Sequence, residues 1–440
     1  MINFENTMKT ILKTIFFLIL TLPCFSQDRL LQSNIKYFTE KTQNYLDKEK
    51  ALSGYYSITE KGIKMYASVS DKVKDKPEFF LEWKDLENLK NDFKLCTLSN
   101  PFDIYKSGKY GIGIPCLAIG GSHNDLIISI PKKGLIGYKI AIDPGHIAND
   151  FEMGDLEKKF IKIKSDSIRG RTDSVEIAEG MLTYATAKLL TEKLKAEGAE
   201  IFSTRVNGLN AFGISFDDWL VKYYNSAVDS LYKLGRFTST QKEWLLGPKA
   251  LKRDKFREVF KDLELAKRAE IINQFKPDFT IIIHYNVDET NIGWDKPSIK
   301  NFNMTFVGGA FMKNDLSTIE KRFEFLRLLI TDDLEKSIQL SSAVVKNFES
   351  TLNVKTAKIT DAKYLYKGCL PTKENGVYCR NLQLPRFIHS PLVYGETLYQ
   401  DNINECKLLS AETDKTKNKR VQQVADAYFK GIMDYTSTSK

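Results

Sequence analysis

The chain has 440 residues, of which 42% are hydrophobic and 12% aromatic, and 65 Lys and Arg against 56 Asp and Glu give a net charge of +9. This composition describes a folded globular protein with apolar residue enough for two or three domains, and it excludes a collagen-like or low-complexity polymer. The basic residues are interleaved with acidic ones, which excludes a dedicated nucleic-acid arm.

Residues 1–26 carry a targeting pattern. From Met8, "MKTILKTIFFLILTLPCFSQ" places Lys9 and Lys13 before the short apolar run Ile15 to Leu22, and Cys24-Phe25-Ser26 before a cleavage point at Gln27. That run is too short to anchor in a bilayer, so the pattern is that of a secretory signal peptide with Met8 as its start. The expectation is an exported protein, in the periplasm or cell envelope, without a membrane span. Five cysteines then remain, and the sequence-local pairs in an oxidising compartment are Cys96 with Cys116 and Cys369 with Cys379.

Residues 27–133 form the first expected domain, small and α+β or mostly β. A polar helical stretch, "RLLQSNIKYFTEKTQNYLDKE", precedes short strand-like segments such as "GYYSIT" and "KMYASVS". None of its residues, His123 included, forms a catalytic constellation. From residue 134 onward strands alternate with helices. "GYKIAI", "EIFSTR", "DFTIIIHYN", "NMTFVGGAFM" and "PLVYGE" have strand character. "SVEIAEGMLTYATAKLLTEKLKAEGA", "LELAKRAEIINQF", residues 317–353 and "KRVQQVADAYFKGIMDY" have helical periodicity. This order predicts an α/β fold, a mainly parallel twisted sheet flanked by helices, over 134–440.

The chain holds four histidines, His123, His146, His284 and His389. His146, in "IAIDPGH", and His284, in "DFTIIIHYN", each follow the carboxyl end of an expected strand, the edge at which α/β sheets bind ligands. Two histidines at one sheet edge form a metal site if a third ligand lies close, and Glu157, Glu176 and Glu179 are all candidates.

The segments "IAIDPGH", "EGAEIFSTR", "LAKRAEIIN", "DFTIIIHYN" and "PLVYGETLYQDN" occur in the order found in the zinc-dependent N-acetylmuramoyl-L-alanine amidases of the amidase_3 type, and roughly residues 135–436 resemble that family. The resemblance implies one zinc ion held by His146, a glutamate that opens the first long helix, and His284. Counting back nineteen residues from Gly198, the glycine closing that helix, selects Glu179. It also implies Glu396 as the catalytic base and Arg268 as a structural residue, and it leaves His389 as a possible cleft residue. The implied reaction is hydrolysis of the amide bond between N-acetylmuramic acid and L-alanine in peptidoglycan or its fragments. The competing readings are a zinc hydrolase of the same fold acting on another amide, and a non-catalytic wall-binding protein.

The chain departs from the family pattern in three places. Ile147-Ala148-Asn149 stands where the family has glycines, Leu398-Tyr399 replaces a Gly-Phe pair, and two insertions are expected, a helical one over about 206–263 and a second over about 290–375. Leaving from the site edge of the sheet, the insertions are candidate walls, lids or docking elements for a regulatory protein.

Overall fold

A computed structural model of the chain describes residues 31–48, 50, 52–95, 134–164 and 174–438. The expected signal peptide, Cys96, Cys116 and His123 lie outside the described residues. Among the described residues no helix is long and apolar enough to cross a membrane.

After a helix over 31–41, three strands, β1 (Tyr56–Thr59), β2 (Gly62–Met65) and β3 (Phe79–Glu82), form a small antiparallel sheet. The remaining strands are β4 (Lys139–Pro144), β5 (Phe160–Ile163), β6 (Val175–Ala178), β7 (Glu200–Ser203), β8 (Phe279–Asn286), β9 (Met304–Val307), β10 (Cys369–Pro371), β11 (Val377–Arg380) and β12 (Leu392–Tyr399). Seven of them make the central sheet in the order β10-β11-β9-β12-β8-β4-β7. Four of its pairings are parallel (β11/β9, β12/β8, β8/β4 and β4/β7) and two are antiparallel (β10/β11 and β12/β9), so the expected mainly parallel sheet is present.

Strand β8 reads FTIIIHYN and is buried over all but its last residue, as a strand covered on both faces must be. Its side chains alternate between two cores. Ile281 and Ile283 join Ile140 and Ile142 of β4 in one cluster, while Ile282 joins Ala141 in another. The first face is covered by helices α1 (Glu179–Ala196), α2 (Asp333–Leu352) and α3 (Lys419–Thr438), which contribute Leu182, Val344 and Tyr428. The second face is covered by the helix Lys261–Phe275, through Ala269 and Ile272.

The helical region 174–199 inferred from periodicity begins with a strand instead. Val175–Ala178 pairs with Phe160–Ile163 as the antiparallel ribbon β5/β6, and the helix starts at Glu179. The alternation of Val175 and Ile177 with Ser174 and Glu176, hardly more than one helical turn long, is what the 3.6-residue pattern had absorbed. Residues 317–353 form two helices, Ile319–Ile330 and α2, rather than one.

Residues 216–260 form short helices around an aromatic cluster of Phe216, Trp219, Tyr224, Phe256 and Phe260, and Ile147 packs into it. The region 290–375 contributes β9 and α2 to the main sheet layers. The amino-terminal segment is fastened to this region by Arg322, whose guanidinium bonds Glu78 at 2.6 and 2.8 Å, and by buried Lys41, which bonds Glu335 at 2.8 Å.

Cys369, Cys379 and Cys406 are buried free thiols, so the expected Cys369–Cys379 pair is not formed. In the β10/β11 ribbon Cys379 lies opposite Leu370, and Cys369 opposite Arg380. Opposed residues share a face and their neighbours take the other, so the two sulfurs belong to separate cores.

Candidate metal centre

Strands β4, β8 and β12 run parallel, so all three end at one edge of the sheet. Register then fixes what meets there. Glu396 of β12 lies beside His284 of β8, and Pro144, two residues before His146, lies beside Ile283. The Asp-Pro-Gly-His turn brings His146 back toward His284, with ring centroids 4.9 Å apart. Gly145 is required here, because a Cβ at that position would come within 2.3 Å of the His284 ring.

His146 adopts a left-handed backbone, φ +62°, which an L side chain takes only when its surroundings hold it. They do so from several sides. The Glu157 carboxylate accepts from the Ile147 and Ala148 amides, at 2.9 Å for Ala148. Arg268 donates to the His146 carbonyl at 2.8 Å, and Arg205 donates to the carbonyls of Gly145 and Ile147. Glu179 is the first residue of α1, where the helix dipole favours a carboxylate. Its Oε1 lies 3.2 Å from His146 Nε2 and 3.1 Å from His284 Nδ1, and accepts the Tyr285 amide at 3.2 Å.

Two imidazoles and one carboxylate thus converge, all three donor atoms lying within 4.8 Å of one another. A tetrahedral zinc with bonds near 2.0–2.2 Å sets its ligand atoms roughly 3.4 Å apart, so the spacings around Glu179 fit this ion with little adjustment. The donor set of two nitrogens and one oxygen leaves a fourth position free, the layout of catalytic rather than structural zinc. Tyr394 stacks on His284 at 4.6 Å, nearly parallel, and fixes that ring.

The charges are arranged for a cation. Burial lowers the His284 imidazole to about 4, so it is neutral and ready to ligate. Burial alone would lower His146 too, but the Glu179 and Glu157 carboxylates hold it up to about 9. A metal ion held here would have to displace one proton from His146. The sign follows: below the raised value the proton competes, and above it the competition ends. Zinc affinity is expected to rise about tenfold per pH unit between roughly pH 5 and 9 and then level off. Competition titrations with a chelator across this range measure the slope, and a pH-independent affinity would contradict it.

Glu396 lines the same cleft of about 310 Å³ as His146, Glu179 and His284. Burial and repulsion from Glu179 push its carboxyl up to about 8. Of the other candidates, Glu176 lies on β6, paired at 2.8 Å with Lys162. Arg268 is buried beneath the turn, bonded to Glu264 and Asp143. His389 does not join the cleft. It precedes β12 while Glu396 lies well along it, seven residues on, and seven extended residues span roughly 23 Å. Its ring faces Glu324 at 3.2 Å.

Arg205, Lys159 and Arg380 shape the site without a role expected from the sequence, and Glu157, a candidate ligand there, instead closes the His146 turn through backbone amides. Arg205 stands just past the strand β7 and is buried, a fact that the sequence does not mark.

The sequence model of the N-acetylmuramoyl-L-alanine amidase family (Amidase_3) matches residues 250–434. No curated protein matches the chain. Among solved structures, the chain is similar to the CwlD amidase of Clostridioides difficile, solved in complex with the GerS lipoprotein. The two share 18% identity over 68% of this chain and 99% of that one, with a TM-score of 0.38. The amidase Ami1 of Mycobacterium smegmatis gives 15% identity over 69% and 99%, with a TM-score of 0.37. At such TM-scores neither likeness bears on function.

Proposed function

We propose that this chain, a member of the N-acetylmuramoyl-L-alanine amidase family through its residues 250–434, is an exported, zinc-dependent hydrolase that cuts the amide bond between N-acetylmuramic acid and L-alanine in peptidoglycan. One observation carries this reading. His284 and Glu396 lie within the matched segment, whereas His146 and Glu179 lie outside it, and the fold brings all four to one cleft.

His146 Nε2, His284 Nδ1 and Glu179 Oε1 would hold the ion. Zinc supplies Lewis-acid polarisation of the amide carbonyl and acidifies water in the site. Glu396 accepts the proton of the attacking water and returns it to the amine nitrogen as the C–N bond breaks. A half-buried carboxyl beside the metal site suits a group that must both take and give a proton within one cycle. Tyr394 keeps His284 oriented, and Glu157 keeps the His146 turn closed.

The mature protein, beginning at Gln27, is expected to release peptides with an amino-terminal L-alanine from purified peptidoglycan, in a reaction that a chelator stops and zinc restores. Mass spectrometry of the soluble products decides it. Glycan strands that keep all their peptides would exclude the assignment.

A further inference from the structure

Most of the protein's buried cations are paired with acids, Arg205, held by carbonyls and Asn149, being an exception. Lys41 meets Glu335, Arg268 meets Asp143 and Glu264, Arg327 meets Glu324 and Asp333, and Arg420 meets Glu405. The cleft is different. Lys159 and Arg380 both line it, both are partly buried, and neither makes an ion pair among the described residues. Each rests on aromatic faces instead. Lys159 Nζ lies 4.9 Å from the centroid of the Trp294 ring. Arg380 Cζ lies 4.9 Å from that of Phe306 and 5.1 Å from that of Tyr364. Cation–π stacking places a guanidinium while leaving its in-plane N–H donors free, and those donors match a carboxylate in a two-pronged bond.

The acids nearby are already engaged. Asp288 accepts from Thr290 and Lys300, Glu289 accepts the Lys363 and Tyr364 amides, and Glu179 faces the two histidines. Glu396 makes no ion pair among the described residues, and the two cations act on it only across the cleft, which leaves their donors open.

A second cleft of about 320 Å³ opens on the other side of the histidines, walled by Phe256, Phe260, Leu265 and Leu384. His146, His284, Lys159 and Tyr394 border both. A substrate crossing the metal site therefore has one half beside Arg380, and the other against an apolar wall that also carries the acids Asp143, Glu157 and Glu264, with Lys159 between the two. In the substrate proposed above, the sugar half is neutral and the peptide half ends in carboxylates.

We propose that Arg380, assisted by Lys159, forms a carboxylate subsite that holds the peptide half of the substrate on the amine side of the cleaved bond. The identity of the ligand rests on the amidase reading; the anion subsite rests on the free cations. The consequence is specificity: peptides with free carboxylates are preferred over the same peptides amidated.

The test compares a soluble muropeptide with free peptide carboxylates against its amidated form, using the zinc-loaded protein. The wild type is expected to favour the acid form at least ~10-fold in kcat/KM, the scale of one charge-assisted hydrogen bond. In Arg380→Met this ratio falls to about one, with the change carried by KM, and Arg380→Lys recovers part of it. Equal loss on both forms in Arg380→Met, with the ratio kept, would overturn the subsite and make the arginine a neutraliser of Glu396. If Arg380→Met melts early, Lys159→Met gives the same reading, and an unchanged ratio there counts against the assignment of both cations. If the wild type cuts neither muropeptide, the amidase reading falls on its own. Calorimetric titration with the isolated stem peptide, acid and amidated, then decides the subsite. Binding at least ~10-fold tighter for the acid form, lost in Arg380→Met, upholds it, and equal binding overturns it.

Discussion

Glu396→Gln is expected to lower kcat at least ~100-fold while zinc content stays at one ion per chain. The amide has the shape of the carboxylate and occupies the same place on β12 beside His284, so the cleft keeps its form. What is lost is the capacity to take a proton from water. The three converging donor atoms belong to His146, Glu179 and His284, so Glu396 is not needed to hold the ion. Glu179→Gln must behave in the opposite way. It removes a ligand charge, and both zinc and activity go together. Measuring metal content beside kcat and KM on the two variants separates base from ligand. A Glu396→Gln protein that turns over within a few-fold of wild type would remove Glu396 from the reaction.

The convergence of the two histidines was readable in the sequence because parallel strands make chain position informative. An apolar run such as FTIIIHYN can only be a strand buried on both faces, and a polar residue at its carboxyl end must lie at the ligand-binding edge. His146 and His284 were placed that way, whereas Glu396 came from the family resemblance alone. Glu179 needed the resemblance as well, since the periodicity that marks α1 ran on into β6 and hid the helix start. His389 shows the limit of counting along the chain: seven residues are close in sequence but span most of a strand when extended. The supports of the site were not legible at all. Glu157 closes the turn through backbone amides, and Arg205 does so through carbonyls 58 and 60 positions away. Bonds of side chains to distant backbone leave no period and require no particular partner residue, so nothing in a single sequence marks them.

The same logic puts the largest stability effect at Arg268. Its guanidinium is 1% exposed and meets Glu264 at 2.8 Å, Asp143 at 3.0 Å, and the carbonyls of Pro144 and His146 at 2.6 and 2.8 Å. The two carboxylates that surround it hold it firmly charged against the cost of burial. Replacing both partners of such a pair by apolar groups can be neutral, but removing one leaves the other charge stranded. Arg268→Met strands two. Asp143 would keep only its bond from Thr204, and its Oδ2 already has no partner. Glu264 would keep the Ala211 amide at 3.1 Å. The expected loss is about 3–5 kcal/mol in urea unfolding. A loss below ~1 kcal/mol would mean that water or rearrangement reaches these acids. Because the same guanidinium ties down the His146 carbonyl in its left-handed turn, the variant should also bind zinc more weakly at a temperature where it remains folded. That coupling separates Arg268 from an ordinary core residue: a cavity elsewhere in the sheet lowers stability alone, whereas this arginine joins the stability of the fold to the geometry of the first ligand.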